Sequence, residues 1–203
     1  PEATAVPRKG EDGVNDYLAA AIASGGVGDS RRFDLPAPGG IEARHKLVRR
    51  YAYALPNDEA ITACVVRSPL VEVGAGLGYW ASLIAQAVGD IVAYDNWSWA
   101  EQGIINGAAH FSVETMGAAE AAAKHPERTL LLIWPPYDDP MAADALRAYA
   151  GRCVIFVGES DGCTGDKAFH SILADEWNEV ERVAIPQWWG IHDALWVYER
   201  RAA

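Results

Sequence analysis

Nine consecutive residues, Leu70, Val71, Glu72, Val73, Gly74, Ala75, Gly76, Leu77 and Gly78, hold the clearest chemical pattern in this chain of 203 residues. A short apolar run contains one acid and then meets three glycines at alternate positions. Directly after it, Trp80, Leu83, Ile84, Ala87 and Val88 recur at the spacing of one buried helix face. Strand, glycine turn and helix together make a surface where a ligand can lie against bare backbone, because side chains there would block both turn and ligand. A second acid ends the apolar run Ile91, Val92, Ala93, Tyr94, Asp95. It follows the glycine turn by about the interval at which such folds place a carboxylate on ribose hydroxyls.

Spacing separates the ligands that use such turns. A dinucleotide pyrophosphate wants G-x-G-x-x-G, but here the third glycine comes one residue early and Tyr79 stands where glycine is required. An acid two places before the first glycine suits an ammonium group better than a pyrophosphate. The pattern Glu72-x-Gly74-x-Gly76-x-Gly78 resembles the first motif of the class I S-adenosylmethionine-dependent methyltransferases. That resemblance implies S-adenosylmethionine as cofactor. Its methionine part would lie on Gly74, Ala75, Gly76 and Gly78, its amino group near Glu72, and its ribose on Asp95. Asn96, Trp97, Glu114 and Trp134, at or just after successive strand ends, complete the cofactor-binding set.

These residues need a scaffold. Strands are expected at 70–74, 91–95, about 111–114, 129–134 and 153–157. Helices are expected at 78–88, weakly at 101–107, and at 117–124, 141–150 and 167–175. Alternation of strand and helix signals a parallel sheet. Strands at about 179–185 and 192–199 are too closely connected for a parallel crossover, so they form an antiparallel hairpin. The fold class is α/β: a three-layer Rossmann-like sheet of about seven strands, mostly parallel, with a C-terminal antiparallel hairpin. This matches the seven-stranded sheet of the same methyltransferase family. N-terminal helices are expected at 12–24 and 41–54, with Pro56 ending the second and Asn57 capping a third. The whole reads as one domain, with a helical cap or extension over 1–68 and a cofactor-binding core over 69–200.

Ligands of open α/β sheets sit beyond the carboxyl ends of the strands. Three segments reach that edge: 134–140, 158–163 and the hairpin tip from Pro186 to Asp193. The first contains Pro135, Pro136 and Tyr137, which resemble the (Asp/Asn)-Pro-Pro-Tyr motif of amino-directed methyltransferases. The resemblance implies a turn whose carbonyl accepts a hydrogen bond from a substrate amine, with the tyrosine against the substrate ring. Trp134 departs from the motif, because an indole cannot accept from an amine. That leaves a prolyl carbonyl and Asp138 for the task. The substrate-binding set is Pro135, Pro136, Tyr137, Glu159, Trp188, Trp189 and His192. Proton acceptance falls to His192, Asp138 or Tyr137, with Asp193, Glu159 and His110 as further candidates. An imidazole is the side chain whose ordinary range lies near neutrality, and the hairpin would aim His192 inward. Trp97, Trp99, Trp134, Trp188 and Trp189 all fall in loops on this edge, where aromatic faces attract cations.

Composition narrows the readings. The formal charge is −11, with 28 acids against 17 Lys plus Arg, which argues against a substrate held mainly by its phosphates. Arg44, Lys46, Arg49 and Arg50 gather on one predicted helix and read as its solvated face. No run approaches a membrane helix, and the polar stretch 1–16 reads as neither signal nor anchor. Three widely spaced cysteines, Cys64, Cys153 and Cys163, suggest reduced thiols in a cytoplasmic protein, and no pair is spaced for zinc. The sequence therefore points to transfer of a methyl group to a nitrogen or oxygen of a small, aromatic or amine-bearing molecule. The rival readings are a nucleic-acid amino-methyltransferase of the adenine type and a non-catalytic scaffold that keeps the fold.

Overall fold

The computed structural model describes residues 15–28, 37–160 and 162–202. Residues 12–14 of the expected first helix, residues 29–36 between the first two expected helices, and Asp161 lie outside them. The sheet has seven strands: β1 (Leu70–Val73), β2 (Ile91–Asp95), β3 (Val113–Thr115), β4 (Thr129–Ile133), β5 (Cys153–Gly158), β6 (Trp177–Ala184) and β7 (Ala194–Arg200). Their order is β3-β2-β1-β4-β5-β7-β6. The first five run parallel, and β7 lies antiparallel between β5 and β6.

Strand alternation divides the core in two. Leu70, Leu131, Ile155, Val157, Leu195 and Val197 pack toward α1 (Asp16–Ala23), α2 (Gly40–Arg50), α3 (Asp58–Val65) and α4 (Tyr79–Gln86). The intervening Val71, Val73, Leu130, Leu132, Val154, Phe156 and Trp196 pack toward α6 (Ala118–Lys124), α7 (Met141–Ala148) and α8 (Lys167–Glu176). Period-two alternation is what lets one strand serve both layers. Side-chain caps fix helix starts where the sequence supplies them: Asn15 accepts from the Leu18 amide, Asn57 from Ala60 and Asp166 from Phe169.

Among the boundaries that differ from expectation, three lie near the strand ends that form the site or the segment that borders it. Helix α2 stops at Arg50 rather than near Pro56, because tertiary partners capture the backbone beyond it. The Tyr17 hydroxyl donates to the Ala52 carbonyl at 2.6 Å and the Trp80 indole to the Ala54 carbonyl at 3.2 Å. Tyr51, Ala54 and Leu55 are buried in consequence. The weak helix expected at 101–107 is the single turn α5 (Ser98–Glu101). Strand β3 begins two residues late, where Val113 pairs with Ala93.

Candidate active site

The glycine turn after β1 departs from ordinary backbone at each glycine. Gly74, Gly76 and Gly78 have φ of 70°, 55° and 72°, in the left-handed region that only glycine enters without strain. The turn closes on itself. Ala75 donates its amide to the Tyr94 carbonyl, Gly78 donates to the Ala75 carbonyl, and Gly76 donates to Asp95 Oδ2 at 2.8 Å. These amides, which would cradle a pyrophosphate in a dinucleotide site, are thus committed to protein acceptors.

Two carboxylates border the turn. Glu72 faces α4 from the middle of β1 and is almost fully buried, and one of its oxygens, Oε2, has no hydrogen-bond partner. Burial pushes its pKa up to about 8, helped by the Asp95 charge and offset in part by the Ala81 amide. The Ala81 amide belongs to the first turn of α4, whose N-cap Gly78 supplies no capping side chain, so Glu72 substitutes for one. Asp95 accepts from Gly76 and, at 2.6 Å, from the Trp97 amide. Each of its oxygens retains a lone pair for a further donor.

Both acids line an open cleft. Gly74, Ala75, Gly76, Asp95, Asn96 and Trp134 of the expected cofactor set also line it. So do Pro136, Trp99 and several residues that were not expected at the site: Tyr53, Asp139, Met141, Met116 and Arg49. Tyr53 stacks on Trp134 at 5.0 Å and meets Trp99 edge-on at 5.4 Å, giving the cleft an aromatic wall. Trp99 was visible as a loop tryptophan. Tyr53 carried no such signal, because it lies in what reads as a helix.

The remaining expected residues lie away from this lining. Gly78 serves the fold: a Cβ there would sit 2.8 Å from Phe111 Cβ. Glu114 is exposed on the edge strand, and Met116 and Ala118 line the cleft in its place. Trp97 turns its indole to Thr115 Oγ1 at 3.1 Å. Pro135 is buried, and its carbonyl accepts from the Gly165 amide, while Asp138 donates its own amide to the Gly165 carbonyl. This pairing folds the loop so that Tyr137 stands 71% exposed outside the cleft and brings Asp139 to its lining.

The hairpin tip and the loop after β5 are bound to each other instead of to the cleft. Glu159 accepts from the amides of Cys163 and His192 and lies 3.5 Å from His192 Nδ1. Trp188 is a core residue, 1% exposed, with its indole donating to the Tyr17 hydroxyl. Trp189 joins the same seam through its amide, which donates to the Gly26 carbonyl. His110 Nε2 donates to the Arg50 carbonyl and the ring stacks on Tyr51. Asp193 is the one acid of this region coupled to the cleft, because Trp134 donates its indole N–H to Oδ1 at 2.8 Å. Desolvation pushes Asp193 up to about 7 despite that bond, and its Oδ2 has no partner.

No protein-family model and no curated protein matches the sequence. Solved structures do resemble the fold. The magnesium protoporphyrin IX methyltransferase of Synechocystis PCC 6803, crystallised with S-adenosylmethionine, is 13% identical over 79% of this chain and 82% of its own, with a TM-score of 0.46. The N-methyltransferase NodS of Bradyrhizobium japonicum WM9, in complex with S-adenosylhomocysteine, is 14% identical over 92% of this chain and 100% of its own, with a TM-score of 0.45. Human N-acetylserotonin methyltransferase, in complex with S-adenosylmethionine, is 10% identical over 92% of this chain and 66% of its own, with a TM-score of 0.41. The strand order β3-β2-β1-β4-β5-β7-β6, with its antiparallel C-terminal pair, is a Rossmann-like arrangement. Scores this low leave the function to be argued from the cleft itself.

Proposed function

We propose that this protein is an S-adenosylmethionine-dependent methyltransferase that modifies a nitrogen or oxygen of a small aromatic or amine-bearing molecule. One observation carries the reading: a nearly fully buried carboxyl with an unpartnered oxygen, Glu72, stands beside a positive-φ glycine turn whose Ala75, Gly76 and Gly78 amides already donate to protein acceptors. An anion is repelled there by Asp95, whereas an ammonium group favours the ionised form of Glu72 and satisfies its orphan oxygen. Asp95 takes ribose hydroxyls on its remaining lone pairs, and Met116, Ala118 and Trp99 offer apolar cover for a flat base. Bound in this way, S-adenosylmethionine supplies an electrophilic methyl group.

The chain's own contribution is alignment. An in-line displacement requires the acceptor lone pair at about 3 Å from the methyl carbon. Tyr53, Trp99 and Trp134 form a wall against which a planar acceptor is held, and their faces favour positive charge. Asp139 is the lining carboxylate left over from cofactor binding, and it receives the proton that an attacking amine or hydroxyl gives up. It replaces His192, Asp138 and Tyr137 in that role. Amino-methylation of a nucleic-acid base draws less support, because the Pro135 carbonyl already accepts from Gly165 and Tyr137 faces outward.

Calorimetry with S-adenosylhomocysteine and with NAD tests the cofactor: the first binds and the second does not. Labelled S-adenosylmethionine offered with pools of amines, phenols and oligonucleotides tests the acceptor, and label is expected in the small molecules. Label in the oligonucleotides would reinstate the nucleic-acid reading. Binding without any transfer would reduce the protein to a scaffold.

A further inference from the structure

Helix α2 is out of keeping with the rest of the molecule. Arg44, His45, Lys46, Arg49 and Arg50 make up five of its eleven residues in a chain of net charge −11. Lys46, Arg49 and Arg50 fall at i, i+3 and i+4, so they share one face, where like charges oppose helix formation. Among the described residues, none of the three forms an ion pair with a carboxylate.

Their position gives the reason. Arg49 lines the mouth of the cleft, and Lys46 and Arg50 line a second hollow with the 106–109 segment and His110. The two hollows share a wall. Tyr51 and Tyr79 line the first, and His110, stacked on Tyr51 at 5.4 Å and edge-on to Tyr79 at 5.0 Å, lines the second. Hydrogen bonds hold this arrangement at fixed spacing. Asn106 donates its amide to the Arg49 carbonyl at 3.0 Å, and His110 Nε2 meets the Arg50 carbonyl at 2.8 Å. The last carbonyls of α2, the negative end of its dipole, are thereby occupied. Arg50 is further held with its guanidinium 5.3 Å from the centre of the Tyr51 ring.

From this we infer that the methyl acceptor carries an oxyanion, a carboxylate or a phosphate, at the end remote from the methylated atom. Lys46, Arg49 and Arg50 bind that group while the planar part lies against Tyr53, Trp99 and Trp134. The inference rests on the methyltransferase reading for the word acceptor, though the preference for an anion is a property of the surface alone. Charge-assisted contacts are strong where the donors are held in place, and a basic patch on an acidic protein steers anions to it.

Ligand-observed NMR titration of the protein saturated with S-adenosylhomocysteine tests this, with benzoate, phenyl phosphate and benzyl alcohol as probes of similar shape. Both anions, or one of them, are expected to bind about tenfold more tightly than the neutral probe, a preference that shrinks with added salt. Which anion leads tells carboxylate from phosphate. The double variant Lys46→Glu/Arg50→Glu should abolish the preference and leave S-adenosylhomocysteine affinity and the circular dichroism spectrum unchanged. Equal binding of the three probes, or a preference that survives the double variant, would overturn the inference. Tighter binding of a short single-stranded RNA than of either small anion, lost in the same variant, would overturn it in favour of a nucleic-acid surface. Should S-adenosylhomocysteine fail to bind, the cofactor reading falls, and the same titration on the cofactor-free protein still decides the anion preference.

Discussion

Replacing Glu72 by glutamine removes the buried charge at the floor of the cleft and keeps its shape. Burial, the neighbouring Asp95 and the Ala81 amide together set the Glu72 carboxyl at about 8 against 4.5 for a free side chain. The ionised form is therefore disfavoured by roughly 5 kcal/mol, at about 1.4 kcal/mol for each tenfold. At pH 7 about nine molecules in ten hold the proton. Because the folded value is the higher one, the folded chain binds the extra proton. The stabilisation is complete below about 4.5, is lost as the pH rises, and levels off above about 8. Glu72→Gln, neutral throughout, should unfold like the parent at pH 4 and be more stable by up to roughly 5 kcal/mol at pH 9. An ammonium group placed beside Glu72 favours the ionised form. Binding of S-adenosylhomocysteine at pH 7 should then release close to one proton, read as a dependence of calorimetric enthalpy on the ionisation enthalpy of the buffer. The glutamine variant should release none and bind about 10–100-fold more weakly, the worth of a hydrogen bond to a charged group. Wild-type binding without proton release, with unchanged affinity in Glu72→Gln, would refute the assignment.

Two further predictions separate fold from site. A Cβ at Gly76 has room, its nearest neighbour being Ile105 Cδ1 at 3.8 Å, whereas at Gly78 it would lie 2.8 Å from Phe111 Cβ and 2.9 Å from Val113 Cγ2. Gly76→Ala should therefore lose only about 1–2 kcal/mol of stability to its positive φ while weakening cofactor binding. Gly78→Ala should lose about 3 kcal/mol or more, and thermal unfolding in the reverse order would contradict the account. Asp193, pushed up to about 7 by desolvation and the Glu159 charge, contributes stability that is full below about 4 and is lost as pH rises to 7. Asp193→Asn keeps an acceptor for the Trp134 indole and should flatten that part of the pH profile of denaturant unfolding. An unchanged profile would show that Asp193 is not the buried acid it is taken to be.

The acid, the three glycines and the following helix lie within one segment. Their meaning is local: glycine at alternate positions permits a backbone that nothing else permits, and strand ends follow from alternation. Asp95 could be placed as well, because a parallel neighbour must bring its carboxyl end to the same edge. The substrate side was misread where segments far apart in the chain compete for the same backbone groups. Gly165, nearly thirty residues downstream, takes the Pro135 carbonyl and the Asp138 amide, so Asp139 lines the cleft and Tyr137 does not. Trp188 looked like an edge aromatic, yet the Tyr17 hydroxyl draws its indole into the core across most of the chain.

Helix α2 makes the same division within a few residues. Its basic face is plain in the spacing of Lys46, Arg49 and Arg50, and so is its exposure to solvent. That this face borders the cleft follows only from Tyr17 and Trp80, whose hydrogen bonds to the Ala52 and Ala54 carbonyls end the helix early and fold Tyr53 onto Trp134. Sequence spacing determined the backbone turn and the charges, because both depend on near neighbours along the chain. Tertiary structure decided what stands opposite them, because buried polar groups take whichever partner the packed chain brings within reach.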